Sequence, residues 1–432
     1  MTIPARFENR MKGQLPPEEW EAFFAVYQGQ PLKGLRVNTL KCSVRDFEEK
    51  SPFALEQVPW ERRGFYVEEE KIGAHPYHFA GVYYSQEPSA MCAAPLLEVG
   101  EGERVLDLCS APGGKGTQLA TAMNGRGVIV LNEPVFSRAK ILSQNVERLG
   151  IKNAIVTCAM PQRLAEVFGG YFDKILIDAP CSGEGMFRKN AKEAIEEWSE
   201  ENVAMCAERQ AEILRFGTKM LRGGGRLVYS TCTFSEEEDE GQVRDYLKNH
   251  PQMRLMKQEK LYPHKVKGEG HFAALFVRDE DGSGVSVKSF KGYVSRGLEK
   301  AYKDFEKDVL VGGLGDKLHE VDGVLYALPP QIFDWRGVQA LRVGVRLGEA
   351  KSGRFLPDHS LAMCLTKAEC KRVADFALTD LRADKFLRGE TVEFDGENGW
   401  TLVCVDGFAV GWGKCVDGVL KNHIPKSLRK MG

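Results

Sequence analysis

The sequence predicts an α/β protein built on a doubly wound, Rossmann-like parallel sheet, with an N-terminal accessory domain before it and a β-rich region after it. Three observations carry this expectation. Between residues 104 and 278, short β-branched runs alternate with longer helical patterns, as they do when helices cover both faces of a parallel sheet. The first of these runs ends in a glycine-containing turn, the arrangement that lets a ligand approach the carboxyl edge of such a sheet. After Val277 the pattern changes: 279–289 carries Gly282, Ser283, Gly284 and Ser286 and reads as a linker, and strand-like runs follow at 391–394, 400–405 and 408–412.

Element by element, strands are expected at 105–109, 127–132, 154–158, 174–178, 225–232 and 271–277, with helices in the gaps. The most periodic helix spans 193–221, where Val203, Cys206, Ile213, Leu214, Gly217, Met220 and Leu221 recur on one face. Gly223, Gly224 and Gly225 are expected to terminate it. Upstream, Trp20, Phe23, Phe24, Tyr27, Phe65 and Tyr66 give the first hundred residues their own apolar content. The expected division is 1–100, 101–280, 288–365 and 366–432.

Composition narrows the class. A chain of 432 residues with 43% hydrophobic and 28% charged residues has the balance of a soluble globular protein of two to four domains. No apolar run approaches the roughly 18 residues that cross a bilayer. Residues 1–12 carry Arg6, Glu8, Arg10 and Lys12 with no apolar stretch behind them, so no secretory signal is read there and the cytoplasm is the expected location. The eleven cysteines are scattered and odd in number, which favours reduced thiols over disulfides. None forms a C-x-x-C pair and the eight histidines lack ligand spacing, so no metal is expected. A net charge of −2 offers no global attraction to a polyanion. Nucleic-acid binding would have to come from local runs such as Lys248, Arg254, Lys257, Lys260, Lys265 and Lys267, or from Lys414, Lys421, Lys426, Arg429 and Lys430.

Two segments carry cofactor chemistry. The first strand runs into Asp107-Leu108-Cys109-Ser110-Ala111-Pro112-Gly113-Gly114-Lys115, and the helix that follows offers free amides to a carboxylate. The second strand ends in Asn132-Glu133, where an acid is placed for two ribose hydroxyls. The G-x-G-x-x-G spacing of dinucleotide folds is absent, so the turn suits S-adenosylmethionine better.

Two further segments carry reactivity. The fourth strand delivers Asp178-Ala179-Pro180-Cys181-Ser182-Gly183-Glu184-Gly185 and the fifth Tyr229-Ser230-Thr231-Cys232-Thr233. A lone cysteine is more often a small buried hydrophobe than a nucleophile. Two at adjacent strand ends, one beside an acid, fit a specific need: carbon 5 of cytosine is a poor nucleophile until a thiolate adds to carbon 6. Asp178 would stabilise charge that appears only after this addition. A second thiol would help expel the enzyme sulfur.

These runs, with Arg36-Val37-Asn38-Thr39-Leu40-Lys41 and Tyr84-Ser85-Gln86-Glu87-Pro88-Ser89-Ala90-Met91 upstream, resemble the Nol/Nop/Sun family of RNA cytosine-5 methyltransferases from about residue 35 to 277. The resemblance implies a class I methyltransferase sheet, Cys232 as nucleophile and Cys181 as the thiol that assists release. It implies that Glu133 holds the cofactor ribose with Arg138 assisting, and that Asp178 serves both cofactor and base. The tail 416–426 resembles the PUA-like RNA-binding module of bacterial Sun-type enzymes that modify small-subunit ribosomal RNA, which makes ribosomal RNA the expected partner and transfer RNA the runner-up. A monomer is expected.

Two departures stand out. An acid usual after strand three, at the adenine edge, is replaced by Thr157-Cys158-Ala159-Met160-Pro161. The acids 236–240 after Cys232 are expected to form a solvated first helical turn. Competing readings are a DNA cytosine-5 methyltransferase in which Cys181 attacks, an amino-group methyltransferase, disfavoured by Asp-Ala-Pro-Cys where Asn/Asp-Pro-Pro-aromatic is typical, and a non-catalytic ribosome-assembly protein.

Overall fold

Alternating apolar side chains along each central strand divide the core into two faces. The computed structural model describes residues 3–189, 191–282, 290–315 and 317–430, so part of the expected linker, 283–289, lies outside the described residues. The central sheet consists of β1 (Arg104–Asp107), β2 (Val128–Asn132), β3 (Ala154–Thr157), β4 (Phe172–Asp178), β5 (Leu221–Thr231), β6 (Met253–Leu261), β7 (His271–Arg278) and β8 (Ala340–Val343). Their order is β6-β7-β5-β4-β1-β2-β3-β8. Strands β1 to β5 run parallel, and β6, β7 and β8 are antiparallel to their neighbours. The chain leaves β1 toward β2 and β3 and returns to β4 on the other side of β1, so the crevice of a doubly wound sheet opens at the carboxyl ends of β1 and β4.

Helices α1 (Gly114–Ala122), α2 (Phe136–Arg148), α3 (Pro161–Val167), α4 (Ala191–Glu197), α5 (Glu200–Met220) and α6 (Glu240–Asn249) cover the sheet. Val105, Ile129, Leu131 and Val156 pack with Leu119 and Met123 of α1 and with Leu142 and Val146 of α2. Their neighbours Leu106, Val128, Val130 and Ile155 pack on the other side with Leu164 of α3 and Ile213 and Leu214 of α5. This is the two-residue period of strands buried on both faces. Each such side chain contributes about 1.5–3 kcal/mol by leaving water, so the two apolar faces rather than any polar contact hold the sheet.

The structure corrects four expectations. The helix expected at 193–221 is two, because the chain breaks at Trp198, which turns inward, and Ser199 caps α5 by accepting from the Asn202 amide at 3.0 Å. Gly223, Gly224 and Gly225 lie inside β5, which begins at Leu221 directly after α5, and so do not cap the helix. The basic run 248–267 is largely β6, an edge strand whose exposed polar residues mask the strand pattern. Its charges are mostly engaged: Lys260 is buried against Asp239 and Glu240, Lys265 pairs with Glu19 and Lys267 with Glu56.

The acids 236–240 are the fourth correction. Glu236 and Glu237 are exposed, but Glu238 and Asp239 are fully buried and α6 starts only at Glu240. A solvated turn would have left all five in water.

The two ends of the chain meet. Strands Lys33–Val37, Gly64–Val67 and Tyr83–Ser85 form an N-terminal sheet with Glu56–Gln57. Its Leu35, Val37 and Tyr83 share one apolar cluster with Phe376 and Val403 of the five-stranded C-terminal sheet and Phe386 of the helix Leu381–Leu387. Tyr77 donates to Asp406 at 2.7 Å across this junction. A third small sheet, from Leu318–Val321, Val324–Ala327, Val345–Lys351 and Arg354–Pro357, packs beside helix Arg296–Val309. Among the described residues, no helix is long and apolar enough to cross a membrane.

Candidate active site

Strand ends and the turns after them supply every group of the site. After β1, Gly113 adopts φ +116°, which an L side chain rarely does, and opens α1. Arg36, buried under the N-terminal sheet, reaches across to donate to the Gly114 carbonyl at 2.7 Å and to Thr117 at 2.8 Å. The motif around Arg36 thus braces the turn from another domain. Asn145 of α2 holds the Pro112 carbonyl at 2.9 Å, and Arg138 donates to that of Ala111 at 3.0 Å.

Gly116 allows α1 to seat on the turn. A Cβ there would stand 2.7 Å from Asp107 Oδ2 and 2.7 Å from Leu131 Cδ2, and closer still to Ser110 Oγ. Overpacking of this kind costs about 1–3 kcal/mol. Gly116→Ala is therefore expected to lower Tm by several degrees in thermal unfolding, and an unchanged Tm would contradict this packing.

At the end of β2, Glu133 is almost fully buried, accepts from the Val135 amide at 2.9 Å and faces Arg138 at 3.2 Å. Asn132 beside it is fully buried and organises the loop after β3: its Oδ1 accepts from Thr157 Oγ1 at 2.9 Å and from the Ala159 amide at 3.2 Å, while its Nδ2 donates to Leu108 and Ala159 carbonyls. That loop offers no carboxylate, and Cys158 and the half-exposed Met160 occupy it instead.

The cysteines come together. Cys181 Sγ and Cys232 Sγ are 3.2 Å apart, and the Cys232 amide donates to Cys181 Sγ at 3.4 Å. Both are unpaired by disulfide and half-buried. The hydrogen bond with Cys232, then burial, pushes the Cys181 thiol well above the ordinary thiol range, and the two sulfurs share one hydrogen bond.

Asp178, at the end of β4, accepts from Lys115 Nζ at 2.8 Å and from Ser230 Oγ at 2.9 Å. Burial works against the charged form of Lys115, but Asp178 and then the Cys232 sulfur overcome it, and the ammonium is shifted upward. Lys115 thus bonds the acid and lies within electrostatic reach of the Cys232 sulfur as well as belonging to the turn. His271, at the start of β7, is buried with its Nε2 3.8 Å from Asp178 Oδ1, and burial followed by the charge of Lys115 keeps its ring neutral.

The sequence reading missed Ser230, His271, Asn132 and the buried acids Glu238 and Asp239. Ser230 was within reach, because residues two apart along a strand share a face and Ser230 stands two before Cys232. His271 carries no such signal, since its neighbour Asp178 is 93 positions away and only the β4-β5-β7 pairing brings them close.

Near the turn, Asp107 is fully buried, with the Ser110 hydroxyl and the Cys109 backbone as its hydrogen-bonding neighbours. Burial pushes the Asp107 carboxyl up to about 7. Beside it lie the amides of the first turn of α1, which donate, and the acid Glu133, which accepts, a combination that suits a ligand carrying an amino-acid group and a ribose.

Taken together, a doubly wound sheet with this turn and paired thiols at its carboxyl edge defines a Rossmann-like methyltransferase. Family models agree along the chain: 16S rRNA methyltransferase RsmB/F matches residues 94–279, the N-terminal domain of 16S rRNA methyltransferase RsmF 3–88, the RsmF rRNA methyltransferase first C-terminal domain 304–365 and the methyltransferase RsmF PUA domain 373–430. The ribosomal RNA small subunit methyltransferase F of Vibrio vulnificus is 32% identical over 99% of this chain and 97% of its own length. That of Enterobacter sp. is 32% identical over 100% and 96%. A solved methyltransferase homologue from Pyrococcus horikoshii superposes with a TM-score of 0.56 at 30% identity, covering 61% of this chain and 92% of its own. The chain belongs to the RsmB/F family of 16S rRNA methyltransferases.

Proposed function

We propose that this protein methylates carbon 5 of a cytosine in small-subunit ribosomal RNA, with S-adenosylmethionine as donor and a covalent bond between Cys232 and the base. The observation that carries the reading is the 3.2 Å approach of Cys181 and Cys232 beside the Lys115–Asp178 pair. The residues of the turn, Cys109, Ser110, Ala111, Pro112, Gly113 and Gly114, would hold the amino-acid end of the cofactor, Glu133 with Arg138 the ribose, and Asp178 the edge nearest the base. When bound, S-adenosylmethionine supplies a methyl group on a positively charged sulfur.

The chain's own groups do the rest. The Cys232 thiolate, stabilised by the Lys115 ammonium and by the Cys181 S–H, adds to carbon 6. The electron pair of the C5=C6 bond is thereby released toward carbon 5 and nitrogen 3, and the Lys115 ammonium, held by Asp178, offers a hydrogen bond to the charge that develops. Carbon 5 takes the methyl group and then gives its proton to solvent. The electrons of that C–H bond restore C5=C6, the C6–S bond breaks, and Cys181 hydrogen-bonds the departing sulfur. A base buried in a stack cannot reach sulfurs at the sheet edge, so the target cytosine is unpaired or extruded.

RNA is held outside the catalytic domain, by the N-terminal unit and the C-terminal PUA-like unit whose apolar residues merge into one core. A reaction on ribosomal RNA places the protein in the cytoplasm. The test is incubation of the full chain with methyl-labelled S-adenosylmethionine and, in separate reactions, unmodified small-subunit ribosomal RNA and unmodified transfer RNA, followed by nucleoside mass spectrometry. Labelled 5-methylcytosine is expected. Label on another atom, on transfer RNA alone, or on nothing overturns the reading.

A further inference from the structure

We propose that Glu238 is a positioning residue for this reaction, bracing the loops that carry both sulfurs and keeping the shared proton on Cys181. The inference rests on the two-cysteine reading above and concerns how one sulfur is set apart from the other.

The geometry is specific. One Glu238 oxygen accepts from the Ser182 amide at 3.0 Å and from Gln210 Nε2 at 2.8 Å, and the other accepts from the Ser182 hydroxyl. Gln210 also donates to the Pro180 carbonyl at 2.9 Å, so the residues on either side of Cys181 are tied to one buried carboxylate. The Ser182 hydroxyl lies 2.8 Å from Thr233 Oγ1, which carries the tie to the residue after Cys232. On the residue before it, Thr231 Oγ1 donates to Asp239 at 2.6 Å, and Lys260 neutralises that acid at 2.9 Å. Consecutive buried acids thus flank the two sulfurs, and Tyr229 OH fixes the backbone between them by donating to the Glu238 carbonyl at 2.6 Å.

Charge adds an asymmetry to this brace. A carboxylate beside Cys181 disfavours a thiolate there, and Glu238 is among the causes that hold the Cys181 thiol high. Lys115, in contrast, acts on Cys232. Three donors aimed at the carboxylate favour its charged form, whereas burial pushes it up to about 7, so it carries charge in mildly alkaline solution. The other titratable groups against it are Glu184, Cys181, Cys206 and Tyr229. Burying an acid costs stability, and an apolar residue would serve a purely structural turn better.

The test needs neither RNA nor cofactor, so its failure is separable from failure of the methyltransferase reading. The full chain is alkylated with iodoacetamide at pH 8 and the rate at each cysteine is read by peptide mass spectrometry. In the wild type Cys232 is expected to react ahead of Cys181; equal rates at the two cysteines overturn the proposal without any variant. In Glu238→Gln the Cys181 rate is expected to rise about tenfold relative to Cys232, the change that one pKa unit produces in thiolate fraction. Glu238→Asp, which keeps the charge, is expected to restore the lag. Glu236→Gln, the same charge change on an exposed residue, is expected to leave it intact. An unchanged ratio in Glu238→Gln, or a parallel rise at both cysteines as a loosened fold would give, overturns the proposal.

Discussion

Cys232→Ala is expected to lower methyl transfer by at least about 10⁴-fold, the scale on which removing a covalent nucleophile acts. No other group can take over without moving the base. Cys181 is 3.2 Å away, but its hydrogen bond with Cys232 and its burial raise its thiol, and its loop is fixed from both sides by Glu238 and Gln210. The measurement is single-turnover transfer of labelled methyl to small-subunit ribosomal RNA, with thermal unfolding as the control for folding. More than about a tenth of wild-type activity would assign the nucleophile elsewhere and favour the arrangement of DNA enzymes, in which the cysteine after Asp-Ala-Pro attacks.

Cys181→Ala is expected to behave differently: addition and methylation proceed, but the enzyme stays bound to its product. Losing one hydrogen-bond donor to a developing anion slows a step by about 10²–10³-fold, and here that anion is the departing Cys232 sulfur. A protein–RNA adduct stable in denaturing gels is the expected signature, absent from the wild type and from the Cys181→Ala/Cys232→Ala double variant. If the single variant turned over freely and left no adduct, Cys181 would have no part in release.

Much of this arrangement was legible in the sequence, for a physical reason. The parallel strands are short, apolar and buried on both faces, so they stand out, and the candidate site residues sit where they end: Asp178 closes β4 and Cys232 follows β5. The glycine turn was readable for the same reason, because Gly113 occupies a backbone region open to few other residues. What escaped notice depends on long-range contact. β6 is an edge strand, polar on its open side, and reads as a charged run. Glu238 and Asp239 stand in a row of five acids that looks like a solvated turn, and nothing local shows that Ser182, Gln210, Thr231 and Lys260 wait for them. Gly223 to Gly225 misled because glycine serves a strand bend as readily as a helix end.

β8 gives the catalytic sheet a rim it does not encode for itself. Residues 340–343 come from beyond the methyltransferase segment, yet they zip onto β3, and the Gln339 carbonyl accepts from the Cys158 amide at 2.9 Å. An uncovered outer strand is a template for unwanted pairing, so a fragment stopping near residue 280 would be left sticky along that flank. The same stitch fixes the loop that lacks its usual acid, so whatever grips the distal half of the molecule also grips the wall of the cofactor crevice.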